Sequence, residues 1–347
     1  MLRTLILGLG RAGWGLHLPV LARIHEAGLD RGYLAPEPIV VYDPQGIQNG
    51  RPPVPLTVVD SLAAARQMLD PDETVVHLCT PPSVRREVLE ELADLGFRMI
   101  LVEKPLAANQ ETLDRIIDIR LRRKLDLMVM GHWLDSSVTT RLSDIIKSGE
   151  LGELRKISAV QTKPRFGRSL MTDGHPSAFE VEVPHSLGVA LFLAGDAEVT
   201  GASWSDMAVN GQIIPRMGSA HLRARHGSGV ETEIFSVLTA MQRERKIALD
   251  FDDGHVTGYY PVGQDDDYAS LSVTGPDGVE SRTVFPDDSL TVFVRGAYRR
   301  FVDGDDLEPD FLLNARVAKL ISDAKQLCTA NGRGHPVDTK EAVGRAG

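Results

Sequence analysis

The feature that most constrains this chain lies at its amino terminus. An apolar run over residues 3–8 (RTLILG) passes directly into Gly8-Leu9-Gly10-Arg11-Ala12-Gly13, and helix-period apolar positions follow at Leu16, Val20, Leu21 and Ile24. A G-x-G-x-x-G sextet alone is a weak signal, because glycines are common. Between a buried strand and a helix, however, each glycine has a physical role. Gly8 permits the tight turn, Gly10 lets the backbone approach a pyrophosphate, and Gly13 lets the helix pack closely on the strand. The helix start, including Arg11 and Ala12, offers free N–H groups to the phosphates. A chain that begins this way is committed to a βαβ unit that binds a dinucleotide.

The second apolar run, 38–42 (PIVVY), ends at Asp43. A carboxylate there accepts hydrogen bonds from the adenosine ribose and repels a 2′-phosphate. Pro44 and Gln45 follow, with no arginine or lysine to receive that phosphate. The expected cofactor is therefore NAD, with NADP less favoured. Asp43 lies further from the glycines than the customary spacing of about 20 residues, and residues 25–37 read as an insertion in the first crossover.

Short apolar runs then recur at 74–79 (TVVHLC), 99–102 and 126–130, alternating with helical patterns at 61–69, 83–96 and 110–123, with Ser83 as the expected N-cap of the 83–96 helix. Strands alternating with helices imply a doubly wound parallel sheet. After residue 131 the pattern changes. A helix at 136–148 is followed by β-rich stretches from 154 to 285, joined by turns such as Asp253-Gly254 and Pro276-Asp277-Gly278 and interrupted by a helix at 186–195. This is the signature of a mostly antiparallel sheet. A last helix spans about 309–330. The expected organisation is an α/β Rossmann domain over 1–130 and an α+β domain with an open, mostly antiparallel sheet over 131–335. Residues 262–267 and the tail after Gly332 read as exposed loop and terminus.

At 347 residues the chain is too long for one ordinary core. No run approaches the ~18–20 apolar residues of a membrane span, and two cysteines, Cys79 and Cys328, fit a reducing compartment. A cytoplasmic protein is expected. The net charge of −10 disfavours nucleic acid as a partner. The histidines lack H-E-x-x-H or related spacing, so no metal is expected.

With the glycine loop, His17-Leu18-Pro19, Thr80-Pro81-Pro82 and Glu103-Lys104-Pro105 in this order, and Asp144–Gly152 (DIIKSGELG) before a strand, the sequence resembles the glucose–fructose oxidoreductase / inositol dehydrogenase / MocA family. The resemblance implies a Rossmann domain plus an open-sheet domain, and hydride transfer between a nicotinamide dinucleotide and a secondary alcohol or ketone of a sugar, cyclitol or related metabolite. It implies a homo-oligomer, dimer or tetramer, built on the open sheet. It places Thr80, Pro81 and Pro82, and then Glu103 and Lys104, beside the nicotinamide, with Lys104 reaching the reacting oxygen, where a cation stabilises alkoxide charge.

His185 matches the family's catalytic histidine and would exchange the alcohol proton. The aspartate that the family carries four residues earlier is replaced by Val181, which leaves Glu182, or less favourably Glu180, to supply a carboxylate. His17 is read as packing near the glycine loop, and His132 and Trp133 as candidates to line the cleft. Lys163 and Arg165 are candidates to bind an anionic group, and His175 reads as a loop residue. Two other readings stand beside the dehydrogenase. One is an enzyme with tightly held NAD that cleaves glycosides or epimerises without net redox. The other is a non-catalytic cofactor-binding regulator.

Overall fold

The computed structural model of the chain describes residues 1–29, 32–36, 38–47, 50–171, 175–263 and 266–330. Parts of the 25–37 segment and of the 262–267 loop, and the tail after Gly332, lie outside these residues. The chain divides into two compact units. The first comprises Met1–His132 with Leu290–Ala318, and the second comprises Trp133–Ser289 with the residues from Lys319 onward.

The first unit opens with β1 (Arg3–Leu7), a helical stretch that begins at Arg11, and α1 (Leu18–Glu26). It continues through β2 (Ile39–Tyr42), β3 (Leu56–Val58), α2 (Leu62–Met68), β4 (Thr74–Leu78), α3 (Arg85–Asp94), β5 (Met99–Val102), α4 (Gln110–Arg123) and β6 (Asp126–Val129). The strands form one six-stranded sheet in the order β3-β2-β1-β4-β5-β6, and every neighbouring pair is parallel. Side chains alternate across the sheet. Leu5, Leu7, Val76, Leu78, Ile100 and Val102 pack under α2, α3 and α4, whereas Ile6, Val41, Val75 and Leu101 face α1.

Two local readings differ from the sequence expectation. No strand was expected at 56–58. Three residues directly after Pro55 carry no readable period, and β3 exists because Leu56 pairs with Ile39 at the sheet edge. Ser83 is not the N-cap of α3, which starts at Arg85 with Val84 at the cap position and no side-chain cap bond. The first turn is instead held by the inward-pointing Arg85.

The second unit contains α5 (Ser137–Ser148), β7 (Leu154–Pro164), α6 (Phe166–Met171), α7 (Val183–Ala194), β8 (Ala197–Val209), β9 (Gln212–His226), β10 (Glu231–Val237), β11 (Thr239–Phe251), β12 (His255–Tyr259), β13 (Tyr268–Thr274) and β14 (Glu280–Pro286). Its eight-stranded sheet has the order β14-β13-β12-β11-β7-β10-β9-β8. All pairings are antiparallel except β7 with β10. One face packs Ile157, Ile247, Leu249 and Leu271 against Val138 and Leu142 of α5 and Val189 and Ala190 of α7. The opposite face, with Val160 and Phe235, stays partly exposed.

Two helices close the described chain, α8 (Ser289–Asp303) and α9 (Glu308–Ala330). Neither α6 nor α8 was expected from the sequence. In α8 the β-branched and aromatic residues mask the helical period locally. Residues 290–318, which the sequence pattern assigns to the stretch 131–335, group with the first unit. The cause is uncovered apolar surface. Crossovers through α2, α3 and α4 all use one face of the parallel sheet, so Val75, Leu101 and Met128 on the other face need a cover beyond α1. Phe293, Val294, Ala297 and Tyr298 of α8 supply it.

No described helix is long and apolar enough to cross a membrane. Phe293 is buried and Val292, its neighbour, is half exposed. Phe293→Ala is therefore expected to cost about 3–5 kcal/mol of unfolding free energy, and Val292→Ala less than about 0.5 kcal/mol, as read from urea denaturation.

Candidate active site

The glycine loop is as tight as its sequence requires. Gly8 has φ +89°, and its N–H donates to the Tyr42 carbonyl at 2.9 Å. A Cβ on Gly13 would stand 2.0 Å from the Gly8 carbonyl oxygen, so this close approach of helix to strand admits glycine alone. A Cβ on Gly10 would meet nothing within 4 Å. The loop is thus closed beneath Gly13 and open above Gly10. Asp43 joins it from the end of β2. One carboxylate oxygen accepts the Leu9 N–H at 2.6 Å and the other the Gln45 N–H at 2.8 Å. The long sequence gap before Asp43 has no spatial consequence, because Leu7 pairs with Tyr42 and register alone delivers Asp43 to the loop.

The ends of β4 and β5 complete this edge. Cys79 N–H donates to Leu7 C=O at 2.8 Å and Glu103 N–H to Leu78 C=O at 3.0 Å, so the strand ladders run on into Thr80 and Lys104. The Lys104–Pro105 peptide is cis. Between the two turns lies Arg85, 1% exposed. Its guanidinium donates to the carbonyls of Thr80 (2.8 Å), Leu106 (3.1 Å) and Pro105. Burial pushes its pKa down to about 10, against the pull of Glu103 and Cys79, so it remains a cation at neutral pH.

Glu103 is held from two sides. His17 Nε2 meets one carboxylate oxygen at 3.0 Å and the Lys104 N–H donates to the other at 3.1 Å. Burial raises its pKa, but His17, Lys104 and Arg85 together outweigh burial and keep it an anion.

These residues fit a dinucleotide. There is open space above Gly10 beside a helix start, a carboxylate sits where a ribose would come, and the Thr80 hydroxyl is buried with no partner among the described residues. Such an orphan calls for a polar ligand. The edge lies at the point where strand order reverses between β1 and β4, the place at which open α/β sheets bind ligands.

In the second unit Glu182 occupies the cap position of α7, with Pro184 in the first turn. Its buried carboxylate takes an ion pair from Lys163 of β7. The His185 N–H donates to the Glu182 C=O at 3.1 Å. The His185 ring stacks on Trp133 with centroids 5.3 Å apart, and Trp133 stacks on Tyr260 at 4.0 Å. The Tyr260 hydroxyl is bonded to Thr139 at 3.0 Å, which anchors the pile. A pocket on the same unit gathers Gln161, Lys163, Glu182, Arg243 and Arg245.

Glu180 is buried and bonded to Ser177 at 2.5 Å and Lys325 at 2.6 Å, an internal structural pair. Val181 is buried and apolar. Arg165 is buried, with a guanidinium bond to Ser169 at 2.9 Å. His175 is described, but the preceding Asp173 and Gly174 of its loop are outside the described residues. No group of three or more His, Cys, Asp or Glu among the described residues is arranged to hold a metal.

The sequence reading missed Arg85, Tyr260 and the His77–Tyr298 pair. Arg85 left a trace, since it shares the inward face of α3 with Leu89 and Leu92 at helical spacing. Tyr260 and Tyr298 left none, because their partners are more than 100 residues away in the chain.

No protein-family model matches the chain. A dTDP-3,4-didehydro-2,6-dideoxy-α-D-glucose 3-reductase of Saccharopolyspora spinosa is 26% identical over 174 residues, 48% of this chain, and the match spans about half (51%) of that reductase. Solved structures share the fold, among them the following two. A 3-ketoreductase of Actinomadura kijaniata, in complex with NADP and TDP-benzene, superposes with a TM-score of 0.75 at 15% identity, covering 94% of this chain and 97% of that one. The UDP-N-acetylglucosamine 3-dehydrogenase of Acidithiobacillus ferrooxidans superposes at 0.69 with 18% identity and the same coverages.

The two glycines make opposite predictions. Gly13→Ala is expected to cost about 1–3 kcal/mol through the clash with Gly8, seen as a lowered melting temperature. Gly10→Ala should leave melting unchanged and weaken dinucleotide binding at least about tenfold, measured by nicotinamide fluorescence titration.

Proposed function

We propose that the chain is a nicotinamide-dinucleotide-dependent oxidoreductase of the glucose–fructose oxidoreductase / inositol dehydrogenase / MocA type. It interconverts a secondary alcohol and a ketone on the sugar ring of a nucleotide-activated sugar. The observation that carries this reading is the convergence of the glycine loop, Asp43, the orphaned Thr80 hydroxyl and Lys104 on the C-terminal edge of one parallel sheet.

The bound dinucleotide supplies or accepts the hydride at nicotinamide C4. The chain's own groups do the rest. The turn bound by Arg85 and Glu103 presents the Lys104 ammonium to the reacting oxygen, where it favours alkoxide character over the neutral alcohol. His185 takes the alcohol proton in oxidation and returns it in reduction, with its ring plane set by the Trp133–Tyr260 pile. Glu182, paired with Lys163, orders the polar pocket. Exposed Arg243 on that pocket offers a fork for a diphosphate. The nucleotide-sugar substrate is supported by this cationic rim and by the dTDP-sugar and UDP-sugar names of the relatives.

Asp43 supports NAD over NADP. Its carboxylate is pinned beside the loop by two backbone donors, and a 2′-phosphate there would meet a fixed negative charge. The Actinomadura ketoreductase was solved with NADP, so the preference is a direct test: NADH is expected to bind more tightly than NADPH in fluorescence titration, and the reverse order overturns the assignment. Asp43→Asn should lower NADH affinity about tenfold, roughly 1.4 kcal/mol, and narrow the discrimination.

Lys104→Met is expected to lower kcat about 10²–10³-fold with a dTDP- or UDP-linked 3-keto sugar. Full activity in that variant would remove Lys104 from the chemistry. Absence of any nicotinamide absorbance change with such sugars in either direction would overturn the proposed reaction.

A further inference from the structure

The first unit contains a buried polar chain that the reaction does not use. Helix geometry widens to a π turn over Gly13–His17, directly behind the glycine loop. Such insertions redirect a side chain and are frequent at functional sites. Here the π turn sends His17, 1% exposed, into the sheet. His17 Nε2 bonds the Glu103 carboxylate at 3.0 Å, and its Nδ1 lies 2.7 Å from Nδ1 of His77 on β4. His77 Nε2 bonds the Tyr298 hydroxyl of α8 at 2.9 Å, and that hydroxyl bonds Thr4 Oγ1 of β1 at 2.6 Å.

An Nδ1–Nδ1 contact requires one nitrogen to donate and the other to accept. With a carboxylate on its far side, His17 is the favoured donor. His77 then accepts on Nδ1 and donates from Nε2 to Tyr298, which donates to Thr4. Every member is satisfied in that direction with His17 protonated on both nitrogens; the reverse direction satisfies them too, but leaves a neutral His17 against the Glu103 carboxylate.

We propose that His17 is a positioning residue for the Lys104 turn. As an imidazolium it clamps Glu103, whose second oxygen receives the Lys104 N–H, and the chain His77–Tyr298–Thr4 holds the imidazolium in place. The helix behind the dinucleotide loop is thereby tied to the residue that meets substrate. This rests on the reading of Lys104 as that residue.

The charged and titratable surroundings agree. Glu103, Lys104 and Arg85 lie on the β5 turn and α3, Cys79 and His77 on β4, and Tyr298 on α8. Burial alone would lower the His17 pKa, but Cys79 and Glu103 more than reverse it and push it up to about 10. Burial and the charge on His17 hold His77 well below the usual imidazole range, so it stays neutral.

The sign of the pH effect follows. A group whose pKa rises on folding contributes stability that is complete below its unfolded value near 6.5 and is lost as pH climbs to about 10.

Two readouts on the apo protein test this without any substrate. ¹⁵N-histidine NMR should show one imidazole protonated on both nitrogens at pH 8, absent from His17→Gln. The urea midpoint should fall between pH 6.5 and 10 more steeply in the wild type than in His17→Gln. A His17 that titrates near 6.5 overturns the proposal.

Turnover then separates positioning from mere structure. In His17→Gln, which keeps a donor to Glu103 but removes the charge, kcat should drop roughly tenfold, while the NADH dissociation constant changes less than about threefold. The alkaline limb of the kcat–pH profile should move to higher pH, because the positive charge of His17 no longer offsets the pull of Glu103 on Lys104. Unchanged kcat and an unmoved limb in folded His17→Gln would overturn the positioning role. If the wild type turns over no sugar nucleotide, the proposed function fails by itself, and the two apo readouts still decide the state of His17.

Discussion

The contact on which the first unit depends is the approach of Gly13 to the Gly8 carbonyl. It leaves no room for a side chain, and it sets how near the first helix lies to the sheet. From that distance the rest follows. The loop above Gly10 stays open, Leu9 N–H reaches Asp43, and the π turn can lower His17 far enough to meet β4 and the Glu103 turn. Had the helix stood a side chain further out, His17 would end short of both partners, and Glu103 would lose its hydrogen-bonded imidazole and keep only the charges of Arg85 and Lys104 nearby.

The unit handles its buried charges as a set. Glu103 is the common anion, approached by His17, Arg85 and Lys104. Arg85 spends its guanidinium on three carbonyls of the two turns, which the strand ladder cannot satisfy because both chains leave the sheet there. The same residue thus neutralises charge and fastens the β4 and β5 turns together. Beside this arrangement the Thr80 hydroxyl has no partner among the described residues, a feature that a bound polar ligand would relieve.

The second unit solves a different problem. Its sheet needs one covered face, supplied by α5 and α7. The start of α7 carries Glu182 and His185, so the cover helix is also the element that presents the candidate chemistry. Position 181 is a buried valine, and Glu182 is drawn to Lys163. The His185 ring is oriented by aromatic stacking on Trp133.

Much was legible in the sequence because it depends on local patterns. The glycine loop, the strands ending at Asp43, Thr80 and Glu103, and the helix over Gln110–Arg123 follow from residues within one element or one turn of each other. The change to antiparallel β-structure after residue 131 followed from turn chemistry. What the sequence could not reveal were pairings across long separations. β3 exists by register with β2, α8 folds back to cover Val75, Leu101 and Met128, and His77 acquires Tyr298 across 221 positions. The sequence by itself determined that the chain would build a dinucleotide loop with a carboxylate near it. Only the tertiary structure decided which buried groups would hold the Lys104 turn, because a hydrogen bond inside a core is chosen by which helices the exposed apolar faces recruit.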